Sequence, residues 1–199
     1  MKEISAIAVG ASAGGVEALG AVLPALRREA RVAVFVVVHL PRERPSRLAE
    51  IFATKCSLTV VEADDKEPIA PGTIYFAPPD YHLLIDTGPQ VSLSSDELVH
   101  YSRPSIDVLF ESAADIYRDR LLGIVLTGAN DDGASGLAAI ARGGGATWVQ
   151  APHTASASAM PLAALKSTPS SASLELGEMA QRLRGLVGGV FSPAPGGHP

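Results

Sequence analysis

The sequence predicts an α/β fold: a doubly wound, mostly parallel sheet flanked by helices, with an antiparallel hairpin excursion around residues 73–101. Three observations point there. Short, almost wholly apolar runs recur at 4–9, 32–38 and 121–127, as expected of strands covered by helices on both faces. Segments with helical apolar spacing separate them. The first run also ends in a glycine-lined turn, Gly10-Ala11-Ser12-Ala13-Gly14-Gly15, that leads straight into a helix. Strand–helix alternation with right-handed crossovers builds such a sheet.

Each element follows in order. Ile4 to Val9 reads as a buried strand, and Val16 to Leu26 as a helix with Val16, Leu19, Val22, Leu23 and Leu26 on one face. Val32 to Val38 is a second strand, ending at His39. Pro41 to Pro45 turns the chain into a helix around 46–55, and Leu58 to Glu62 forms a third strand. Between Pro68 and Ser102 short alternating segments (73–77, 82–86, 91–93 and 98–101) are separated by Pro, Gly, Asp and Ser, which is hairpin patterning. Pro104 opens a helix with Val108, Leu109, Ala113 and Ile116 on its apolar face. Leu121 to Thr127 is a strand, and a helix then runs to Arg142, stopped by Gly143-Gly144-Gly145. Thr147 to Gln150 reads as the last core strand, with helices at 160–166 and 177–186. One domain, 1–190, is expected, with 191–199 a flexible Pro- and Gly-rich tail.

Bulk properties narrow the function. A chain of 199 residues, 47% apolar, can bury one sizeable core. A net charge of −5 argues against non-specific nucleic-acid binding, and arginines 42, 44 and 47 form only a local patch. The single Cys56 excludes an internal disulfide and reads as an inert buried thiol. The five histidines show no metal-ligand spacing, so neither metal nor other cofactor is expected. No apolar run reaches transmembrane length and no signal-peptide pattern opens the chain. A cytoplasmic protein without membrane insertion is expected.

The chemistry lies where strands end. Gly-x-Ser-x-Gly on a strand-to-helix turn exposes a serine hydroxyl beside free N–H groups, so Ser12 reads as a nucleophile. Two rivals are a turn that is glycine-rich only for packing, and a dinucleotide fingerprint. The second is disfavoured because Ser12 stands where backbone must approach pyrophosphate, and the next strand ends in His39 rather than an acid. His39 and the Asn130-Asp131-Asp132 loop also follow strands, and sites in open α/β sheets form beyond those carboxyl ends. Serine, histidine and aspartate together meet the needs of a hydrolytic triad. Asp131 and Asp132 are not separable by pattern, and an Asp before glycine at a helix start is often only an N-cap. His82, His100, His153 and His198 are weaker candidates; His82 lines the cleft or caps the hairpin.

These segments resemble the catalytic domain of the chemotaxis protein-glutamate methylesterases, the CheB family. The resemblance runs through 8–15, Val37-Val38-His39-Leu40-Pro41, 71–82, 103–110 and Leu126-Thr127-Gly128 to Ala134, nearly the whole chain in order. It implies Ser12 as nucleophile, His39 as base and Asp132 as orienting acid. It also implies hydrolysis of glutamyl methyl esters, and in some members deamidation of glutamines, on cytoplasmic helices of methylated chemoreceptors. Two departures stand out. The usual threonine after the nucleophile is Ala13, and the familiar Met-Gly-Asn-Asp-Gly loop reads Ala129-Asn130-Asp131-Asp132-Gly133. Backbone donors at Ala13, Gly14 and Ala129 are the expected oxyanion site, since a main-chain N–H does not depend on its side chain. Many relatives carry an N-terminal receiver domain. Met1 opens here almost directly into the first strand, so regulation through a separate protein or constitutive activity is expected. The alternatives are a non-catalytic partner-binding module of a sensory complex and an esterase of small substrates.

Overall fold

The computed structural model describes residues 3–39 and 45–191. Residues 41–44 of the expected turn, with Arg42 and Arg44, His198 and nearly all of the tail lie outside the described residues. Chain order is β1 (Ala6–Ala11), α1 (Gly15–Val22), β2 (Ala33–Val38), α2 (Leu48–Ala53), β3 (Thr59–Glu62), β4 (Thr73–Phe76), β5 (His82–Asp86) and β6 (Gln90–Ser94). It continues with α3 (Ile106–Tyr117), β7 (Leu121–Val125), α4 (Ala134–Arg142), β8 (Ala146–Gln150), α5 (Ala159–Ser167), β9 (Ala172–Leu174), α6 (Leu176–Arg184) and the short pair β10 (Leu186–Val187) and β11 (Val190–Phe191).

Seven strands form one parallel sheet in the order β3-β4-β2-β1-β7-β8-β9. The alternating Cβ directions of its central strands feed two cores. Ile7, Val9 and Ala11 of β1, with Val34, Val36 and Val38 of β2, face Leu19, Val22, Phe52 and Met179 from α1, α2 and α6. Ala6, Ala8, Phe35 and Val37 face Leu109, Phe110, Leu137, Ile140 and Ala164 from α3, α4 and α5. Burial on both faces is why these strands read as unbroken apolar runs. Among the described residues no helix is long and apolar enough to cross a membrane.

Several details differ from the sequence expectation. The antiparallel excursion is present but confined to β5 and β6, a separate two-stranded sheet. Thr73–Phe76 instead sits between β3 and β2 in the parallel sheet, because all four of its residues are buried there. Residues 98–101 contain no strand, only a bridge from Val99 to Ser102 around a tight turn. The strand at 146–150 is not the last, since β9 adds an edge through Trp148–Ala172 and Gln150–Leu174 pairing. β1 also runs two residues later than its apolar pattern suggests. Pairing with β2 and β7 extends it through Gly10, and Ala11 is still paired to Val38. Gly10 is required there, because a Cβ would run into the Ile106 side chain of α3.

Candidate active site

β2, β1 and β7 are neighbours, so the loops after them meet at one sheet edge. Ala11 pairs with Val38, and the His39 N–H donates to the Ala11 carbonyl at 3.1 Å. Ser12 and His39 therefore leave adjacent strands side by side. On the other flank the Ser12 N–H donates to the Thr127 carbonyl at 2.9 Å. The serine turn is clamped further: Thr127 Oγ1 lies 2.9 Å from the Ala13 carbonyl, and Gln150 Oε1 accepts the Thr127 N–H at 2.9 Å. Gly14 caps α1 at φ 76, and a Cβ there would lie 2.7 Å from Ser156 Cβ. That left-handed conformation suits glycine and keeps the turn narrow.

Asp132 is fully buried and is where the site converges. Its Oδ2 accepts from His39 Nε2 at 2.8 Å and from the Ile106 N–H at 2.7 Å. Its Oδ1 accepts from Ser105 Oγ and from the Asp107 N–H, both at 2.9 Å. The carboxylate thus occupies the N-terminus of α3, where unpaired N–H groups and the helix dipole favour negative charge. Burial pushes its carboxyl up, but the hydrogen bonds from His39, Ile106 and Asp107 outweigh that and hold it below the usual range. The Ile106 side chain wedges against Gly10 and against Gly133, which has φ 93 and is tight enough that a Cβ would lie 2.7 Å from Ile106 Cγ2. By sequence pattern, an Asp before glycine at a helix start is often only the N-cap of its own helix. Instead Gly133 is the α4 N-cap, and Asp132 caps α3 from outside.

A carboxylate only accepts, so His39 carries its proton on Nε2 and presents a lone pair at Nδ1. Asn130 Nδ2 stands 3.4 Å from that Nδ1, while Asn130 Oδ1 is buried with no hydrogen-bond partner among the described residues. The half-buried Ser12 hydroxyl makes no hydrogen bond among the described residues. The backbone N–H groups of Ala13, Gly14 and Ala129 likewise donate to no acceptor among the described residues, leaving three main-chain donors around the serine turn and the β7 loop.

Asp131, inseparable from Asp132 by pattern, is exposed and pairs with His100 Nδ1 at 3.4 Å. His100 Nε2 also lies 3.3 Å from Asp107 Oδ2. Burial pushes the Asp107 carboxyl up; the Gly136 N–H opposes this and the Asp132 charge adds to it. His82 is a buried structural group: Nδ1 accepts the Ser105 N–H at 3.1 Å and Nε2 reaches the Glu97 carbonyl at 3.0 Å. It secures the turn into α3, the hairpin-capping alternative for this residue. His153 is exposed and pairs with Glu175 at 3.4 Å. Burial raises the Cys56 thiol to about 11, so it stays protonated at neutral pH. Asn130, Ser105, Thr127 and Gln150 were not identified as site residues from sequence. Ser105 lay in the 103–110 stretch that resembles the CheB family, and Thr127 and Asn130 in the 126–134 stretch; Gln150 lay in no such segment.

The sequence model described as CheB methylesterase matches residues 7–183. The chain belongs to the CheB methylesterase family. A Leptospira interrogans protein with the provisional name protein-glutamate methylesterase/protein-glutamine glutaminase is 42% identical over 176 residues, covering 88% of this chain and 91% of that protein. A Caulobacter vibrioides protein-glutamate methylesterase/protein-glutamine glutaminase is 38% identical over 162 residues, covering 79% of this chain and 47% of its own length. The crystal structure of the Thermotoga maritima CheB methylesterase catalytic domain superposes with a TM-score of 0.87 at 28% identity, covering 94% of this chain and all of that one. This CheB-family chain therefore shares the catalytic-domain fold, and with it the parallel sheet whose carboxyl edge carries Ser12 and His39.

Proposed function

We propose that this chain is a serine hydrolase that demethylates glutamyl methyl esters, and deamidates glutamines, on cytoplasmic helices of methyl-accepting chemoreceptors. Its relatives carry both activities in their names. The observation that carries the reading is the 2.8 Å His39–Asp132 contact beside Ser12, on strands held in register by Ala11–Val38 pairing. Residues 1–190 act as one catalytic unit in the cytoplasm, where the substrate helices lie.

In this mechanism the Ser12 hydroxyl rotates onto His39 Nδ1, displacing the long Asn130 contact, and attacks the ester carbonyl. His39 takes the proton at Nδ1, and Asp132 stabilises the imidazolium through Nε2–H. The developing oxyanion receives N–H groups from Ala13, Gly14 and Ala129. Collapse of the intermediate expels methanol, or ammonia from a glutamine, protonated by His39, and leaves a glutamyl ester on Ser12. Water then attacks with His39 again as base, releasing the free glutamate and restoring the hydroxyl.

Methanol release from methylated receptor membranes, run alongside Ser12→Ala, tests this directly. Turnover that disappears in the variant supports the reading; undiminished release by Ser12→Ala removes it. A fluorophosphonate probe whose labelling requires Ser12 and His39 separates an active nucleophile from a binding module that has kept only the fold.

A further inference from the structure

The turn that carries Ser12 has two available shapes, and one side chain decides between them. The Gly15 N–H donates to the Ser12 carbonyl at 2.8 Å, closing a four-residue turn with Ala13 and Gly14 at its centre. Ala13 keeps a negative φ while Gly14 has φ 76 and ψ 5, which is the type II pattern. A type I turn closes with the same bond and differs chiefly by a half-turn of the central peptide, here Ala13–Gly14. Gly14 takes either sign of φ without steric penalty, so the contacts of that peptide select its orientation.

Those contacts come from Thr127, just beyond β7. Its Oγ1 lies 2.9 Å from the Ala13 carbonyl and 3.2 Å from the Ala157 carbonyl, and it accepts the Ala157 N–H at 2.9 Å. A hydroxyl has one proton to give. The Ala157 carbonyl already takes the Gly128 N–H at 3.0 Å, so the Thr127 proton goes to the closer Ala13 carbonyl. Thr127 itself is held in place. Its N–H donates to Gln150 Oε1 and its carbonyl accepts the Ser12 N–H, both at 2.9 Å. The residue is buried, which denies bulk water the place of its hydroxyl.

In a planar trans peptide the C=O and N–H point in opposite directions. With the Ala13 carbonyl anchored inward on Thr127, the Gly14 N–H is aimed outward, where Ser12 and Ala13 meet solvent. After a half-turn of the peptide its carbonyl would stand there instead, and that dipole repels a developing negative oxygen. We propose that Thr127 is a positioning residue for the hydrolysis: its hydroxyl holds the Ala13–Gly14 peptide in the orientation that offers the oxyanion a donor rather than an acceptor. This rests on the hydrolase reading above.

The test compares Thr127→Val, close in shape but without the hydroxyl, with Thr127→Ser, which keeps the hydroxyl and loses the methyl. Demethylation of methylated receptor membranes is measured as kcat and KM across pH, with Ser12 labelling by a small fluorophosphonate and melting temperature alongside. Loss of one oxyanion donor costs about 10²–10³ in kcat, so Thr127→Val should fall by at least about thirtyfold. KM and the acid limb of the kcat/KM profile should stay in place, because the His39–Asp132 pair is untouched. Thr127→Ser should retain kcat within about threefold of the parent. Equal kcat losses in the two variants would assign the effect to methyl packing and overturn the proposal. So would a Thr127→Val loss below about threefold, or one carried by KM. If Thr127→Val melts below the assay temperature, Thr127→Cys takes its place. A thiol is a weak donor, so its kcat should lie at least about fivefold below that of Thr127→Ser, and parity overturns the proposal. A parent protein with neither demethylation nor Ser12 labelling would instead bring down the hydrolase reading, and this role with it.

Discussion

Replacing Asp132 by asparagine tests the proposed chemistry most sharply. The carboxylate now accepts from four donors: His39 Nε2, the N–H groups of Ile106 and Asp107, and Ser105 Oγ. An asparagine has one acceptor oxygen and an NH2 group. With its oxygen toward Ser105 and Asp107, the NH2 faces the Ile106 N–H and His39 Nε2–H. His39 relieves that clash by moving its proton to Nδ1, the nitrogen that must accept from Ser12. The base is then in the wrong tautomer, and a kcat loss of about 10³–10⁴ is expected, equivalent to roughly 4–5.5 kcal/mol. The orphaned Ile106 N–H adds a stability loss of about 1–3 kcal/mol, or roughly 2–12 °C in Tm for a domain of this size. Asp132→Ala strands the donors without replacement and should cost more, on the order of 3–5 kcal/mol. The pH dependence has a definite sign. Because the folded carboxyl is held below its usual value, its contribution is complete above the unfolded value and disappears as pH falls through the folded one. The Tm gap between parent and Asp132→Asn should therefore close below about pH 4. Receptor demethylation and fluorophosphonate labelling read the first effect, and thermal unfolding across pH reads the second. Activity of Asp132→Asn within tenfold of the parent would refute the tautomer argument.

Two further expectations concern the neighbours of His39 and Asp132. In Asn130→Asp a carboxylate replaces the amide 3.4 Å from Nδ1 and favours the imidazolium, so the acid limb of the kcat/KM profile should move up by about 1 pH unit or more; an unmoved limb would mean that Asn130 does not face the working base. Gly133→Ala forces a φ of 93° on an L residue and drives its Cβ to within 2.7 Å of Ile106. Strain and overpacking together should cost roughly 2–4 kcal/mol, seen as a lower denaturant midpoint, and should slow Ser12 labelling by displacing Asp132.

Much of the fold was legible because its central strands are buried on both faces. Val32 to Val38 and Leu121 to Leu126 are apolar without interruption, as suits strands of a covered parallel sheet. Thr73–Phe76 was harder. Four residues amid Pro, Gly and Asp look the same whether they join a hairpin or slot between β3 and β2, and the choice depends on strands distant in sequence. Ala172–Leu174 had no signal at all, since a three-residue edge strand exists only because β8 presents free backbone groups to it. The same division runs through the site. Ser12 was readable from its turn and His39 from its strand end. Asn130 was not, because its distance to His39 is set by the packing of the β7 loop.

Local chemistry thus specified which groups are available: a hydroxyl on a glycine turn, an imidazole at a strand terminus, and a pair of adjacent aspartates. Their spacing along the chain carries no information on which aspartate reaches the imidazole. That was resolved by folding, when Ile106 packed against Gly10 and Gly133 and brought the N-terminus of α3 down on Asp132. Helix N–H groups and a dipole there stabilise a buried charge, whereas Asp131, one residue earlier, stayed exposed beside His100. Burial and hydrogen bonding are properties of the assembled chain, and they are what separates two residues of the same type.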